Sequence, residues 1–399
     1  MEHRRFLVLC HEFPPLGGGA GKNLFLLCRE LSLQGWKIKV WTVDPGIEKR
    51  QQFNFEVEYF DIGRKNRFDT NIFGMLRYLS KMRYSLRGSY LKSLEEWQPN
   101  FVFSVLGIPA GIMGSWISKS MNIPHFLWYH GSDIHAGQVY GPGKFHRLLL
   151  RHIWKNAAMN FFVSPSLRDK ALKINKVHNP IILPSSPSPE ILEYPKDKTS
   201  PSAERYFLFL GRFDAVKQPL LFIQAVTILK GLGFWQNKKE SPRKILMVGS
   251  GKLLGEIVDA IHANKLEEII SLKPAASFEK IPELLNNAYA LIIPSRIEGF
   301  NTTVLEAAHF AVPTIAANVP GLNDFILHRE TGILFEENSA ESLANWMKAL
   351  SDDPELVETL GRNCEIAAKP YHIHAIAKIF QEKVEAFFEK SEPILSKVV

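Results

Sequence analysis

The first half of the chain alternates short apolar runs with segments of helical length. Four of these runs have the length and composition of buried strands: Phe6–Cys10, Trp36–Val43, Phe101–Val105 and His125–Tyr129. The first run is followed by a glycine-rich turn and then by a helical pattern from Asn23 to Gln34. Strands that alternate with helices in this way predict an α/β fold with a parallel sheet.

The pattern restarts after a stretch rich in proline and serine, from Leu183 to Glu204, which has the composition of a linker. Beyond it we predict five further strands: Arg205–Leu210, Lys244–Val248, Ala288–Pro294, Val312–Ala316 and Gly332–Phe335. A long helical pattern follows Tyr371. The chain therefore consists of two α/β halves, each of which opens with a strand and a glycine-containing turn.

These boundaries predict four parts along the chain. They are an N-terminal domain over residues 1–185, a linker over 186–204, a second domain over 205–370 and a C-terminal helix within 371–399. We expect this helix to pack back toward the N-terminal domain. Two Rossmann-like α/β/α domains would face each other across a cleft, with a ligand at the carboxyl ends of the strands.

The composition is that of an ordinary globular protein, with 46% apolar and 22% charged residues among 399. No window approaches about 18 uninterrupted apolar residues, so no membrane span is predicted. The apolar run Phe6–Cys10 is too short for a secretion signal, and we expect the protein in the cytoplasm. The three cysteines lack the spacing of a metal site and are expected to be reduced.

Positive charge is concentrated in the N-terminal half. Residues 1–190 carry 25 Lys and Arg against 14 Asp and Glu, whereas the remainder carries 23 against 27. Within residues 64–97, apolar positions at helical spacing are flanked by Arg77, Lys81, Arg83, Arg87 and Lys92. This segment is either a helix that lies on an anionic membrane surface or a core-facing helix with a solvated basic face. It has no recognised nucleic-acid-binding motif, so we expect no nucleic-acid partner.

Two turns that follow predicted strands could bind an anion. In the first, Gly18 and Gly19 would let a ligand approach the backbone at a helix N-terminus, although a simple glycine turn explains them equally well. In the second, Arg212 and Lys217 could converge on one diphosphate. The alternative there is a solvated pair of cations, which the positive end of a helix dipole would disfavour.

A third turn carries two glutamates, Glu298 and Glu306, on either side of a predicted helix start. Two carboxylates at this spacing suit two different hydroxyl groups of one ligand, and the amides of Asn301 to Thr303 could bind a phosphate or sugar oxygen. The alternative for Glu306 is structural, because Thr303 and Glu306 have the spacing of a capping box.

His130 follows the predicted strand His125–Tyr129 and could donate a hydrogen bond to a ligand, although a single histidine is by itself more often structural. No D-x-D pair occurs in the chain. We therefore expect no metal ion at a diphosphate site.

Together these turns resemble those of the retaining glycosyltransferases of family 4, which have the GT-B fold. The most specific element is the E-x7-E signature from Glu298 to Glu306, and the other elements are GRFDAVK, PPLGGGAGK and HGSD. The chain departs from the family where Asn301 follows the EGF residues and where Pro274 replaces a common glycine. The identities of the donor sugar and the donor base therefore cannot be carried over.

The resemblance implies a role for each of these residues. Arg212 and Lys217 would hold the donor's diphosphate, and Glu306 would bind the ribose hydroxyls. Glu298 would hold hydroxyls of the donor sugar, beside the backbone of Phe300, Asn301, Thr302 and Thr303. His130 would approach the sugar from the acceptor domain, and Gly18 and Gly19 would let that domain close over the diphosphate.

The predicted function is retaining transfer of a sugar from a nucleotide-diphosphate sugar to a hydroxyl of a lipid-linked or polysaccharide acceptor, without a cofactor or metal. Cell-surface glycan synthesis is the expected context, with the protein peripheral to the cytoplasmic face of the membrane. Two alternatives stay open, namely a sugar-nucleotide epimerase of similar fold and a non-catalytic subunit that binds nucleotide sugars.

Overall fold

The structure is a computed structural model, which describes residues 4–15, 18–44, 46, 52–60, 79–81, 83, 89–131, 134, 144–196, 205–236 and 244–395. The chain divides into two compact units. The first comprises Met1–Ser186 and Ile373–Val399, and the second comprises Pro187–His372.

A parallel sheet forms the centre of the first unit. Its strands are β1 (Arg5–Leu9), β2 (Lys37–Val43), β3 (Glu56–Phe60), β4 (Phe101–Val105), β5 (His125–Tyr129), β6 (Met159–Phe162) and β7 (Pro180–Ile182). They lie in the order β3-β2-β1-β4-β5-β6-β7, and every neighbouring pair is parallel. The connecting helices are α1 (Gly19–Leu33), α2 (Ser89–Trp97), α3 (Ile112–Met121), α4 (Lys144–Asn156) and α5 (Pro165–Ile174).

The second unit repeats this architecture. Its strands are β8 (Tyr206–Leu210), β9 (Lys244–Val248), β10 (Ile270–Lys273), β11 (Ala288–Ile293), β12 (Thr314–Ala317) and β13 (Ile333–Phe335). They lie in the order β10-β9-β8-β11-β12-β13, again all parallel. Its helices are α6 (Pro189–Leu192), α7 (Pro219–Gly231), α8 (Leu254–Ala263), α9 (Ile281–Asn286), α10 (Thr302–His309), α11 (Ala340–Asp352) and α12 (Pro354–Ala368). The predicted α/β class, with two parallel sheets, is confirmed.

The C-terminal helix α13 (Ile373–Leu395) belongs to the first unit and contributes to its core. The ring of Phe380 lies 5.0 Å from that of Phe103 in β4 and 6.0 Å from that of Phe6 in β1. At the surface, Nδ1 of His374 lies 2.7 Å from Oε1 of Glu30 in α1. Burial of its apolar face therefore anchors α13 on the first unit.

The stretch that was predicted to be a linker is packed where the structure describes it, over residues 186–196. It contains the short helix α6, and Ile191 in that helix is buried in the core of the second unit. Residues 197–204 lie outside the described residues. The segment that is rich in proline and serine is therefore packed against the second unit over these residues and is not an exposed linker there.

Among the helices of the described residues, none combines the length and the apolar character that crossing a bilayer requires.

Candidate functional site

Three loops of the second unit meet at the carboxyl edge of its sheet. They follow β8, β9 and β11, and β8 lies between the other two strands. The backbone N–H of Phe213 donates to the carbonyl of Ser250 at 2.8 Å, and that of Arg296 donates to the carbonyl of Val216 at 2.9 Å. The loop after β8, which carries Arg212 and Lys217, is therefore joined by its backbone to both neighbours.

Asp214 organises this basic loop. Its Oδ1 accepts hydrogen bonds from the backbone N–H groups of Val216 at 3.1 Å and Lys217 at 3.0 Å, which closes an Asx turn. Its Oδ2 lies 3.2 Å from Nη1 of Arg212. The guanidinium of Arg212 stays accessible, because its side chain is 70% exposed. Sequence reasoning missed Asp214, although the Asp-x-x-Lys spacing is a visible signal for such a turn.

Glu298 is the centre of the polar cluster at this edge. Its Oε1 lies 2.5 Å from Nζ of Lys217 and also accepts a hydrogen bond from Nδ2 of Asn301 at 3.1 Å. The side chain of Glu298 is only 10% exposed, and that of Lys217 is 21% exposed. The cation and the amide together compensate the charge of a largely buried carboxylate.

Asn301 also forms the N-cap of helix α10. Its Oδ1 accepts a hydrogen bond from the backbone N–H of Thr303 at 3.0 Å. The alternative that Thr303 and Glu306 form a capping box is therefore wrong, because the helix begins at Thr302 and Thr303 lies inside its first turn. Glu306 is buried in the same helix, with 7% of its surface exposed.

Gly321 supports the loop of Glu298 from the neighbouring turn after β12. Its φ is +90°, a conformation that glycine adopts without strain, and a Cβ there would lie 2.4 Å from the carbonyl oxygen of Glu298. Any larger residue would displace the backbone that carries Glu298. The sequence-based hypothesis did not include Gly321, because nothing in the spacing shows which turn packs against this loop.

In the first unit, Gly18 is the N-cap of α1, and both Gly18 and Gly19 are exposed. A Cβ on Gly18 would lie 3.4 Å from Oε2 of Glu12, so a carboxylate lies beside this helix N-terminus. Sequence reasoning did not assign Glu12 a role. Gly17, at the start of the same turn, lies outside the described residues.

His130 follows β5 in the first unit. Its Nε2 is buried and has no hydrogen-bond partner within the part of the chain that the structure describes. Burial lowers the pKa of His130 to about 3, so the imidazole is neutral at pH 7. A neutral imidazole with an unsatisfied nitrogen could donate or accept a hydrogen bond with a ligand. Ser132 and Asp133 lie outside the described residues.

The structure thus brings most of the predicted site residues together in the second unit. Lys217, Glu298 and Asn301 are in direct contact, and Arg212 reaches them through Asp214. The other predicted site residues of the second unit lie in the same loop as Glu298 or in helix α10, which follows it. They are Phe300, Thr302, Thr303 and Glu306. Gly18, Gly19 and His130 belong to the first unit.

Two family models match nearly the whole chain. Residues 17–183 match the model described as Glycosyltransferase Family 4, and residues 190–366 match the model described as Glycosyl transferases group 1. The chain is 24% identical over 351 residues to an uncharacterized glycosyltransferase of Methanocaldococcus jannaschii, which covers 85% of this chain and 93% of the relative. It is 27% identical over 257 residues to the D-rhamnosyltransferase WbpZ of Pseudomonas aeruginosa, with 61% and 62% covered.

Solved structures with the same fold cover almost all of the chain. Sucrose-phosphate synthase from Thermosynechococcus elongatus superimposes with a TM-score of 0.78 at 17% identity, over 97% of this chain and 100% of the other. Anabaena HepE in complex with UDP and glucose superimposes with a TM-score of 0.72 at 18% identity, over 96% and 100%. At these identities the likeness establishes the fold.

Proposed function

The chain belongs to the family 4 glycosyltransferases and has their GT-B fold, and from this premise we propose that it transfers a sugar from a nucleotide-diphosphate sugar to a hydroxyl of an acceptor, with retention of the anomeric configuration. The observation that carries the proposal is the cluster of Lys217, Glu298 and Asn301 beside Arg212. It combines cations for a diphosphate with a carboxylate for sugar hydroxyls on one sheet edge. The HepE structures with UDP and with UDP-glucose support a donor of this class.

Arg212 and Lys217 would bind the diphosphate and stabilise it as a leaving group. Breaking the bond between the anomeric carbon and the diphosphate oxygen leaves the electron pair on the diphosphate, while the sugar develops oxocarbenium character. Fixed cations aimed at that developing charge lower the barrier by several kcal/mol in a site that excludes water. Arg212 can form two parallel hydrogen bonds to phosphate oxygens, and Lys217 contributes a point charge.

Glu298 would bind the donor sugar. Both of its side-chain contacts within the described residues are made by Oε1, which leaves Oε2 to accept hydrogen bonds from sugar hydroxyls. Glu306 would accept hydrogen bonds from the ribose hydroxyls of the nucleotide. Phe300, Thr302 and Thr303 would line the loop on which the sugar lies, and His130, Gly18 and Gly19 would contribute from the acceptor domain, as the family resemblance implies.

We propose front-face transfer, in which the acceptor oxygen attacks from the side that the diphosphate leaves. The departing phosphate would take the proton of the acceptor hydroxyl, so no protein nucleophile is needed. Double displacement through Glu298 is the alternative mechanism. Mass spectrometry of donor-incubated protein distinguishes the two, because a sugar attached covalently to Glu298 would exclude front-face transfer.

Positive charge from Arg212 and Lys217 would replace a metal ion at the diphosphate. We therefore expect nucleoside diphosphate release to proceed at the same rate with EDTA and with added Mg²⁺ or Mn²⁺. A loss of activity in EDTA that either cation restores would contradict this part of the proposal.

The acceptor would be lipid-linked or a growing polysaccharide, and the protein would work at the cytoplasmic face of a membrane in cell-surface glycan synthesis. The basic segment over residues 64–97 motivates this, and most of it lies outside the described residues. We expect a variant with Arg77, Lys81, Arg83 and Arg87 replaced by Gln to bind anionic vesicles more weakly than the wild type. Equal binding in a co-sedimentation assay at the same salt concentration would contradict the membrane proposal.

Turnover of a panel of nucleotide sugars in EDTA tests the proposed function. We expect slow release of nucleoside diphosphate from one donor, with water as the acceptor, and loss of this release in Glu298→Ala and Arg212→Ala. The matched controls are Glu358→Ala and Arg329→Ala, which remove exposed residues of the same unit and should retain the activity. Binding without any turnover, even with candidate acceptors, would favour a non-catalytic subunit, and conversion to an epimeric nucleotide sugar would favour the epimerase alternative.

A further inference from the structure

The ring of Tyr371 lies between two other aromatic rings of the second unit. It stacks on the ring of Phe300 with centroids 5.7 Å apart and planes inclined by 20°. On another side, the ring of Phe325 meets it edge to face, with centroids 5.4 Å apart and planes inclined by 86°. Both are preferred arrangements of aromatic pairs, so the three rings form a defined packing unit.

Both partners of Tyr371 are connected to the polar cluster around Glu298. Phe300 lies in the same loop, two residues after Glu298 and directly before Asn301. Phe325 belongs to the segment that starts at Gly321, the glycine whose Cβ position is filled by the carbonyl of Glu298. The Tyr371 ring therefore contacts two segments that themselves meet at the backbone of Glu298.

Tyr371 itself is held from outside this loop. It ends a short 3₁₀ turn, Lys369–Tyr371, which continues helix α12, and the backbone N–H of His372 closes the turn on the carbonyl of Lys369 at 3.2 Å. The loop from Glu298 to Asn301 has no regular secondary structure of its own. The stack on Tyr371 therefore adds a side-chain contact that connects this loop to helix α12.

We propose that Tyr371 is a positioning residue, which holds Phe300 and thereby sets Glu298 and Asn301 in the geometry that binds the donor sugar. The inference rests on the proposed function, because it assigns the sugar to this loop. The ring makes the contact, so phenylalanine should replace tyrosine without loss. Burial and the nearby carboxylate of Asp324 raise the pKa of the Tyr371 hydroxyl, which agrees with a neutral side chain that acts through its ring.

The test compares a nucleotide sugar with the matching nucleoside diphosphate in calorimetric titrations. Tyr371→Leu should weaken nucleotide-sugar binding about tenfold, while the affinity for the nucleoside diphosphate stays within about twofold. Tyr371→Phe should bind both ligands like the wild type. Tyr206→Leu is the matched control, because Tyr206 is also a half-buried tyrosine of the second unit but starts β8, at the opposite edge of the sheet. It should leave the ratio of the two affinities unchanged.

Hydrogen exchange of the full chain supplies a readout that needs no ligand. Amides of the segment from Glu298 to Thr303 should exchange faster in Tyr371→Leu than in Tyr371→Phe or Tyr206→Leu. Unchanged amide exchange in this segment of Tyr371→Leu, or an equal loss of affinity for both ligands, would overturn the role of Tyr371. If the wild type binds no nucleotide sugar at all, the proposed function fails. If Tyr371→Leu keeps the wild-type ratio of nucleotide-sugar affinity to nucleoside-diphosphate affinity, only this inference is overturned.

Discussion

Lys217 and Glu298 contact each other directly, although the family resemblance assigns them to different parts of the donor. Under the proposed function, a diphosphate and a sugar would therefore bind around an existing ion pair. This arrangement keeps both side chains in place before the donor arrives, because each fixes the position of the other. The ion pair is thus an element of preorganisation, and its strength can be measured without any ligand.

A double-mutant cycle with Lys217→Met and Glu298→Gln should show coupling of about 1–3 kcal/mol in the free energy of unfolding, since both side chains are largely buried. The control is the exposed pair of Lys348 and Asp352, for which about 0.5 kcal/mol or less is expected. Denaturant unfolding of the single and double variants gives both values. Coupling no larger than that of the control pair would contradict the preorganised site.

We expect three histidines to make the first unit sensitive to acid. Burial lowers the pKa of His11 to about 4, and it lowers the pKa values of His125 and His130 to about 3. Below the ordinary value of 6.5 the unfolded chain therefore binds more protons than the folded chain. The free energy of unfolding should fall as the pH drops from 6.5 toward 4, by up to about 1.4 kcal/mol per pH unit for each histidine.

His125→Gln isolates this contribution. The ring of His125 contacts Ser104 and Ser115 in the core, and glutamine cannot take up a proton there. We expect a smaller slope of unfolding free energy against pH in this variant, whatever its stability at pH 7. His152→Gln, at an exposed position, should keep the wild-type slope. Equal slopes in all three proteins would contradict the prediction.

At the scale of single elements, the longer buried strands were predicted well, since β4 and β5 are entirely buried and have the predicted bounds. The sequence analysis did not identify β3, β6, β7 and β10. β6 is entirely buried, but it is only four residues long and contains Asn160, whereas the other three are edge strands. Glu56 and Glu58 of β3 pair with Lys39 of β2, and β7 begins with a proline. Edge strands carry polar or proline residues because one side lacks a partner, so the apolar signal is lost.

Helix starts were predicted less accurately, because an N-cap is defined by backbone angles and hydrogen bonds that the apolar pattern of the sequence does not show. Helix α1 begins at Gly19, four residues before the predicted start, since an extended Gly18 supplies its N-cap. Helix α10 begins at Thr302, two residues before the start that the apolar pattern predicts at Val304, since Asn301 caps it. The second difference bears on the proposed site, because one side chain both caps the helix and contacts Glu298.

The two roles of Asn301 can be separated. Asn301→Ala should lower the free energy of unfolding by about 1 kcal/mol and also weaken nucleotide-sugar binding. Asn301→Asp should keep the cap, but its carboxylate would repel Glu298 and weaken donor binding. The control is Ser339→Ala, which removes the N-cap of α11 and should change stability alone. Thermal unfolding and calorimetry measure both effects, and unchanged donor affinity in Asn301→Asp would contradict the contact's role in binding.

For the whole molecule, the sequence was sufficient to predict two parallel-sheet units, and several of the residues that it proposed for the site lie together at one sheet edge. The sequence did not predict the contacts between these residues. The turn at Asp214 and the approach of Gly321 to Glu298 depend on which strands become neighbours, and strand order is not encoded in any local pattern. The basic segment over residues 64–97, on which the acceptor proposal depends, lies mostly outside the described residues.

The central claim is that the second unit binds the diphosphate through Arg212 and the sugar through Glu298. Calorimetric titration of one nucleotide sugar and its nucleoside diphosphate, in EDTA, tests it most directly. Arg212→Ala should weaken the binding of both ligands. Glu298→Gln should weaken nucleotide-sugar binding by a larger factor than nucleoside-diphosphate binding, because Lys217 loses its ion-pair partner but keeps its charge. If the wild type binds no donor, or if Glu298→Gln loses affinity for the nucleotide sugar and for the nucleoside diphosphate by the same factor, the account is contradicted.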